Sequence, residues 1–178
     1  MSAISDRLDY PLAPNFDNQV CVGGNDATVP RVNGDTDYDL YEGMCVTGSG
    51  QIKGEVVRCD GSVITNLPFG IVRRPDGWGA IVNEPLANDD PVNVFPIGGK
   101  AKVMVPIAIA AGPVPIDDGD IIICENSGTY PGYGMKMTAA LITGATNYPK
   151  LIQKIGIAQF PDDMTDGATK VRWMKVLI

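Results

Sequence analysis

From Tyr41 onward the chain reads as short apolar runs bounded by turn residues. The clearest run places Val103, Val105, Ile107 and Ile109 at every second position, with Lys102, Met104 and Pro106 on the opposite face. A period of two marks a strand with one buried side. Pro106 has no N–H for a ladder, so it predicts an edge or a bulge. Further strands are predicted at Met44–Thr47, Glu55–Cys59, Ser62–Thr65, Phe69–Arg73, Trp78–Asn83, Val92–Phe95, Ala101–Ile109, Ile121–Glu125, Lys154–Gln159 and Lys170–Ile178. Asp60-Gly61 falls between two of these runs and predicts a two-residue hairpin. Pro75-Asp76-Gly77 predicts a turn, because Pro presets one dihedral and Gly accepts a positive one. Gly98-Gly99-Lys100 leads into a strand and reads as a hairpin turn. A helical pattern is confined to Lys136–Thr143, with Met137, Ala140 and Leu141 on one side and Gly144 as its stop.

Residues 1–40 have a different texture. They are rich in Asp, Asn, Pro and Gly, and only Gln19-Val20-Cys21-Val22 reads as a strand. Such a segment is either an extended arm laid across a neighbour or a loop-rich strap on its own domain. The body, 41–178, carries an internal echo. Tyr41-Glu42-Gly43-Met44-Cys45-Val46 resembles Asp118-Gly119-Asp120-Ile121-Ile122-Ile123: an acid and a glycine turn into an apolar strand. Each is followed by a Gly-Ile pair, Phe69-Gly70-Ile71-Val72 and Ile155-Gly156-Ile157-Ala158, at unequal spacings of about 27 and 37 residues. The echo points to two related lobes. With 21 Gly and 14 Pro in 178 residues, long helices are disfavoured and an all-β body, barrel or sandwich, is expected.

The formal net charge is -7 and no basic run exists. Affinity for phosphates comes mainly from Lys and Arg, so nucleic acid and anionic membranes are poor partners. No apolar run approaches a membrane span. The first twenty residues include Asp6, Arg7, Asp9 and Asp17, so no signal peptide is read there. The expectation is a soluble protein made in a reducing cytoplasm. Cys21, Cys45, Cys59 and Cys124 form no Cys-x-x-Cys pair and the chain has no His. They read as reduced core thiols, with no structural zinc expected.

Catalytic patterns fail one by one. Without His, the usual base of a Ser or Cys triad is missing. The acid pairs Asp89-Asp90, Asp117-Asp118 and Asp162-Asp163 read as solvated turn residues, since neighbours on a strand or turn point apart. Asp35, Asp37 and Asp39 have the alternation of a calcium loop, but Leu40 and Val46 stand where an EF-hand needs Gly and Glu. At most weak calcium binding is expected there. No catalytic, cofactor-binding or metal residue is assigned. Tyr130 and Tyr133, in a glycine–aromatic loop, suit protein contacts.

The turn Asp117-Asp118-Gly119-Asp120, the strand Ile121-Ile122-Ile123, the later Ile155-Gly156-Ile157-Ala158 and the terminal strand Thr169–Ile178 resemble small capsid decoration (cement) proteins of tailed bacteriophages. The resemblance covers roughly 41–178, with Phe69-Gly70-Ile71-Val72 repeating the feature in the first half. It implies a β-barrel or β-tulip-like body, often trimeric, bound between major capsid protein subunits on the outside of a virion. It also implies an N-terminal arm reaching across them. On that reading the contact residues are Leu8, Tyr10, Leu12 and Phe16 of the arm, then Tyr130 and Tyr133. Two other readings stay open. One is a different virion part, such as a head fibre base or tail component. The other is a soluble β domain stacking a carbohydrate or small ligand on Trp78, Tyr130 and Tyr133.

Overall fold

A computed structural model describes residues 28–50, 52–61, 66–74, 85–98, 101–108, 115–125, 130–139, 152–159, 162–163 and 171–178. The fold is all-β. Its strands are β1 (Val29–Asn33), β2 (Cys45–Gly48), β3 (Glu55–Arg58), β4 (Gly70–Arg73), β5 (Pro91–Pro96) and β6 (Lys102–Ala108). They continue as β7 (Pro115–Ile116), β8 (Ile121–Cys124), β9 (Gly134–Lys136), β10 (Lys154–Ala158), β11 (Asp162–Asp163) and β12 (Val171–Leu177). They form two closed five-stranded barrels, in the orders β1-β3-β2-β4-β5 and β10-β12-β6-β9-β8, and a small β7–β11 pair. Among the described residues each wall strand has a paired neighbour on both sides, β6 and β9 at one residue pair.

The second barrel repeats the first. In chain order β1, β2, β3, β4 and β5 correspond to β6, β8, β9, β10 and β12. Each pairing recurs with the same sense: parallel for β1–β3 and β6–β9, antiparallel for the rest. The registers agree too. Cys45 faces Ile71 and Val46 faces Gly70 across β2–β4, as Ile121 faces Ile157 and Ile122 faces Gly156 across β8–β10. Even the small sheet has its counterpart: Ile116 pairs with Asp162 where the first barrel has the isolated bridge Leu40↔Leu86.

Two glycine pairs explain the echo in the sequence. Gly43 (φ 87) and Gly119 (φ 92) sit in the turns that enter β2 and β8, in left-handed backbone that favours glycine. Their N–H groups donate to Val72 O and Ala158 O, both at 2.9 Å, which ties each turn to the end of β4 or β10. Gly70 and Gly156 serve close approach. A Cβ there would lie 2.3 Å from Phe95 O or from Leu177 O, respectively. The unequal spacing arises in the longer connections around β9, while the wall positions stay in register.

Alternation places the core. Val103, Val105 and Ile107 of β6 are buried, as their spacing predicts, and so are Val92 and Val94 of β5. Leu40, Val46, Val56, Val72, Leu86, Val92 and Val94 fill the first barrel. A second cluster fills the other barrel and continues into the seam, where Cys45, Cys59, Ile71 and Phe95 of the first barrel meet it.

Several expectations change. Of the segment 1–40, Val29–Asn33 is wall strand β1, between β5 and β3; residues 1–27, including Gln19–Val22, lie outside the described residues. Gly98 turns between β5 and β6, which belong to different barrels, so this is a crossover and not a hairpin. β3 is flanked by β2 and β1, and Gly61 bonds to the second barrel; the hairpin partner expected at Ser62–Thr65 lies outside the described residues, as do Pro75–Gly77 and Trp78–Asn83. Lys136, expected to open a helix, ends β9 because its strand pairs with β8; residues 140–143 lie outside the described residues. β6 meets β9 only at Ile107↔Gly134, so Pro106 falls where that side of the strand carries no ladder. Asp162 and Asp163, read as turn acids, form β11, because β7 pairs with them.

Candidate functional site

Three cysteines meet where the barrels touch. Cys45 opens β2, Cys59 follows β3 and Cys124 ends β8. A ring of backbone bonds fixes them: Cys45 N–H to Gly132 O (2.7 Å), Gly132 N–H to Cys59 O (2.7 Å) and Cys59 N–H to Cys45 O (3.0 Å). Gly61 N–H donates to Glu125 O at 3.1 Å. A Cβ on Gly61 would stand 2.4 Å from that oxygen and 2.7 Å from Cys124 O, so only glycine lets the barrels close to this distance.

The three sulfurs lie within 4.8 Å of one another, and each residue is 0% exposed. None is in a disulfide. Oxygen atoms surround them. Asn66 O lies 3.3 Å and Gln153 Oε1 3.9 Å from Cys59 Sγ, and Cys59 O lies 3.3 Å from Cys124 Sγ. Gln153 is itself buried, and its carbonyl accepts from Cys124 N–H at 2.9 Å.

Burial pushes the Cys45 thiol well up, reinforced by its hydrogen bonds to Cys124 and Cys59. Cys124 receives a hydrogen bond from Cys45 that pulls it down. Its bond to Cys59 and its burial outweigh this, and it too is raised. Cys59 is held down to about 5 by the thiols of Cys124 and Cys45, against burial and the Asp60 charge. Asn66 O and Gln153 Oε1 also face Cys59 Sγ, at 3.3 Å and 3.9 Å. Chemically this is an enclosed, soft donor set and not an exposed nucleophile.

The acidic loop has a different role. Asp35 Oδ1 accepts from Asp37 N–H (3.2 Å) and Tyr38 N–H (3.1 Å), while Oδ2 accepts from Arg58 N–H (3.2 Å) and Nε (3.3 Å). Oδ1 thus folds the loop on itself, and Oδ2 holds it against β3. The Arg58 guanidinium lies 3.4 Å from the Tyr38 ring centroid. Asp90 and Asp120 brace turns, their Oδ2 atoms accepting from Ala87 N–H and Asp117 N–H, both at 2.7 Å.

Leu8, Tyr10, Leu12 and Phe16 lie outside the described residues, as does Trp78. Tyr133 is 4% exposed; it stacks on half-buried Tyr130 at 5.6 Å and accepts from Glu125 N–H, so it packs its own domain. Among the described residues the large apolar side chains that do face solvent are Val32, Tyr38, Ile52, Leu67 and Ile152. The sequence neighbours of Val32, Tyr38, Ile52 and Leu67 are polar or turn residues, which hides them from pattern reading. The thiol cluster was equally hidden: its members are far apart in sequence and meet through tertiary packing alone. No family model matches the chain, and no curated protein matches it.

Proposed function

We propose that the protein is a virion structural component that decorates and stabilises an assembled capsid by binding between major capsid protein subunits. The observation that carries the reading is the repeat. The features behind the resemblance, the acid–glycine turn and the Gly-Ile strand, are the two glycine positions that both barrels require. They therefore mark one specific architecture and not glycine-rich sequence in general. A closed double barrel suits a rigid adhesive block. Exposed Tyr38, Ile52, Leu67 and Ile152 add contact candidates to Leu8, Tyr10, Leu12 and Phe16. A shell of many copies multiplies modest contacts, and a net charge of -7 keeps a crowded surface soluble. A homotrimer on the outer capsid surface is the assembly we favour.

Sedimentation tests this. Particles of the source virus lacking the chain should recover it in shell-like stoichiometry, while free capsid subunits should not bind it. Binding in the far smaller numbers of a fibre base or tail part would favour that virion role instead. Absence from particles, with binding on a glycan array lost when Trp78 is changed, would move the protein to ligand recognition.

A further inference from the structure

We propose that Cys45, Cys59 and Cys124 bind one soft d10 metal ion at the seam between the two barrels. This goes beyond the capsid reading and does not depend on it. It also departs from the expectation of inert core thiols.

The geometry is close to that of a metal-free trithiolate site. Metal–sulfur bonds of ~2.3 Å hold sulfurs roughly 4 Å apart in tetrahedral or trigonal coordination. The three sulfurs here lie within 4.8 Å of one another, so a small contraction suffices. Their surroundings call for a cation: Asn66 O, Gln153 Oε1 and Cys59 O all face sulfur atoms. On binding, the remaining thiol protons leave to solvent and the metal takes their place.

The donor set selects the metal. Three sulfurs suit Zn2+ or Cu+, whereas Ca2+ takes six or more oxygens. Gln153 Oε1, 3.9 Å from Cys59 Sγ, is the nearby side-chain oxygen for a four-coordinate zinc, and copper is satisfied by the sulfurs alone. The scaffold is rigid, because the backbone ring through Gly132 and the tight approach at Gly61 fix where each thiol projects. Two ligands come from the first barrel and one from the second. A bound ion therefore staples the barrels.

The test uses the full chain, reduced, stripped with a chelator and titrated anaerobically with Zn2+, Cd2+ and Cu+. One equivalent should bind, with a sulfur-to-metal charge-transfer band for Cd2+ and a chelator-reversible rise in Tm. X-ray absorption of the zinc form should show about three sulfurs at about 2.3 Å. Cys45→Ala and Cys124→Ala should each weaken binding by more than the ~10–100-fold typical of outer-shell changes. The spectrum of the unaltered chain decides the matter should either variant unfold. An all-oxygen or nitrogen shell, no stoichiometric binding of any of the three ions, or full binding by a folded Cys45→Ala/Cys124→Ala double variant would overturn the proposal.

Discussion

The two barrels solve one packing problem in two ways. At the parallel pair, the first barrel sets Asn33 against Val56, and the second sets Ile107 against Gly134. Asn33 is fully buried. Its Nδ2 donates to Leu86 O (2.8 Å) and Ala87 O (3.0 Å), and its Oδ1 accepts from Asp35 N–H (2.9 Å). In the second barrel the larger Ile107 is accommodated by a glycine, for a Cβ on Gly134 would meet Ile107 Cδ1 at 2.9 Å. The first barrel thus holds its β5 entry with side-chain hydrogen bonds. The second shares the backbone pairing at this point, β7–β11 for the Leu40↔Leu86 bridge, and puts the apolar Ile107 where Asn33 stands. A shared wall tolerates either a satisfied polar plug or an apolar one, provided its volume is matched across the pair.

The comparison can be broken most forcefully at the repeated close approach. Gly70→Ala and Gly156→Ala should each cost about 3 kcal/mol in urea unfolding, because the new methyl meets backbone that cannot step aside. Similar losses at both sites would support equivalent barrels; a large loss at one alone would separate them. Asn33→Ala should come next, at about 2 kcal/mol, since it removes three hydrogen bonds at once and leaves Asp35 N–H without its acceptor, while Leu86 O and Ala87 O keep Leu40 N–H and Asp90 N–H. Gly134→Ala should cost about 1–2 kcal/mol, less than the wall glycines, because it meets side-chain methyls of Ile107, Ile122 and Val105 and not backbone. Adding Ile107→Val should recover part of that loss in a double-mutant cycle. The smallest effect belongs to the ion pairs Arg58–Asp35 (3.3 Å) and Lys136–Asp120 (2.6 Å), whose cations occupy matching positions of β3 and β9. Arg58→Met and Lys136→Met should each shift stability by about 1 kcal/mol or less, and high salt should narrow the difference from the unaltered protein.

Much of this wall was legible. β5, β6, β8, β10 and β12 announce themselves because half-buried strands force alternation or a short apolar run. β1 did not, because Pro30 and Arg31 interrupt it and its one fully buried residue, Asn33, is polar; the hydrogen bonds that make Asn33 a core residue are tertiary. β9 was missed because Gly134 is there for Ile107 and not for strand propensity. The echo was visible at its glycines, yet the registers that turn it into a repeat depend on pairings that no spacing reveals. The seam was the least legible part: Cys45, Cys59 and Cys124 look like isolated core residues until β2, β3 and β8 converge.

The most direct measurement for the functional account is a cryo-microscopy reconstruction of intact particles beside particles from which this chain has been deleted. The account predicts paired small barrels on the outer shell at capsomer junctions, in many copies, vanishing together on deletion. Unchanged shell density in the two particles, with the chain recovered only in the soluble fraction, would contradict it.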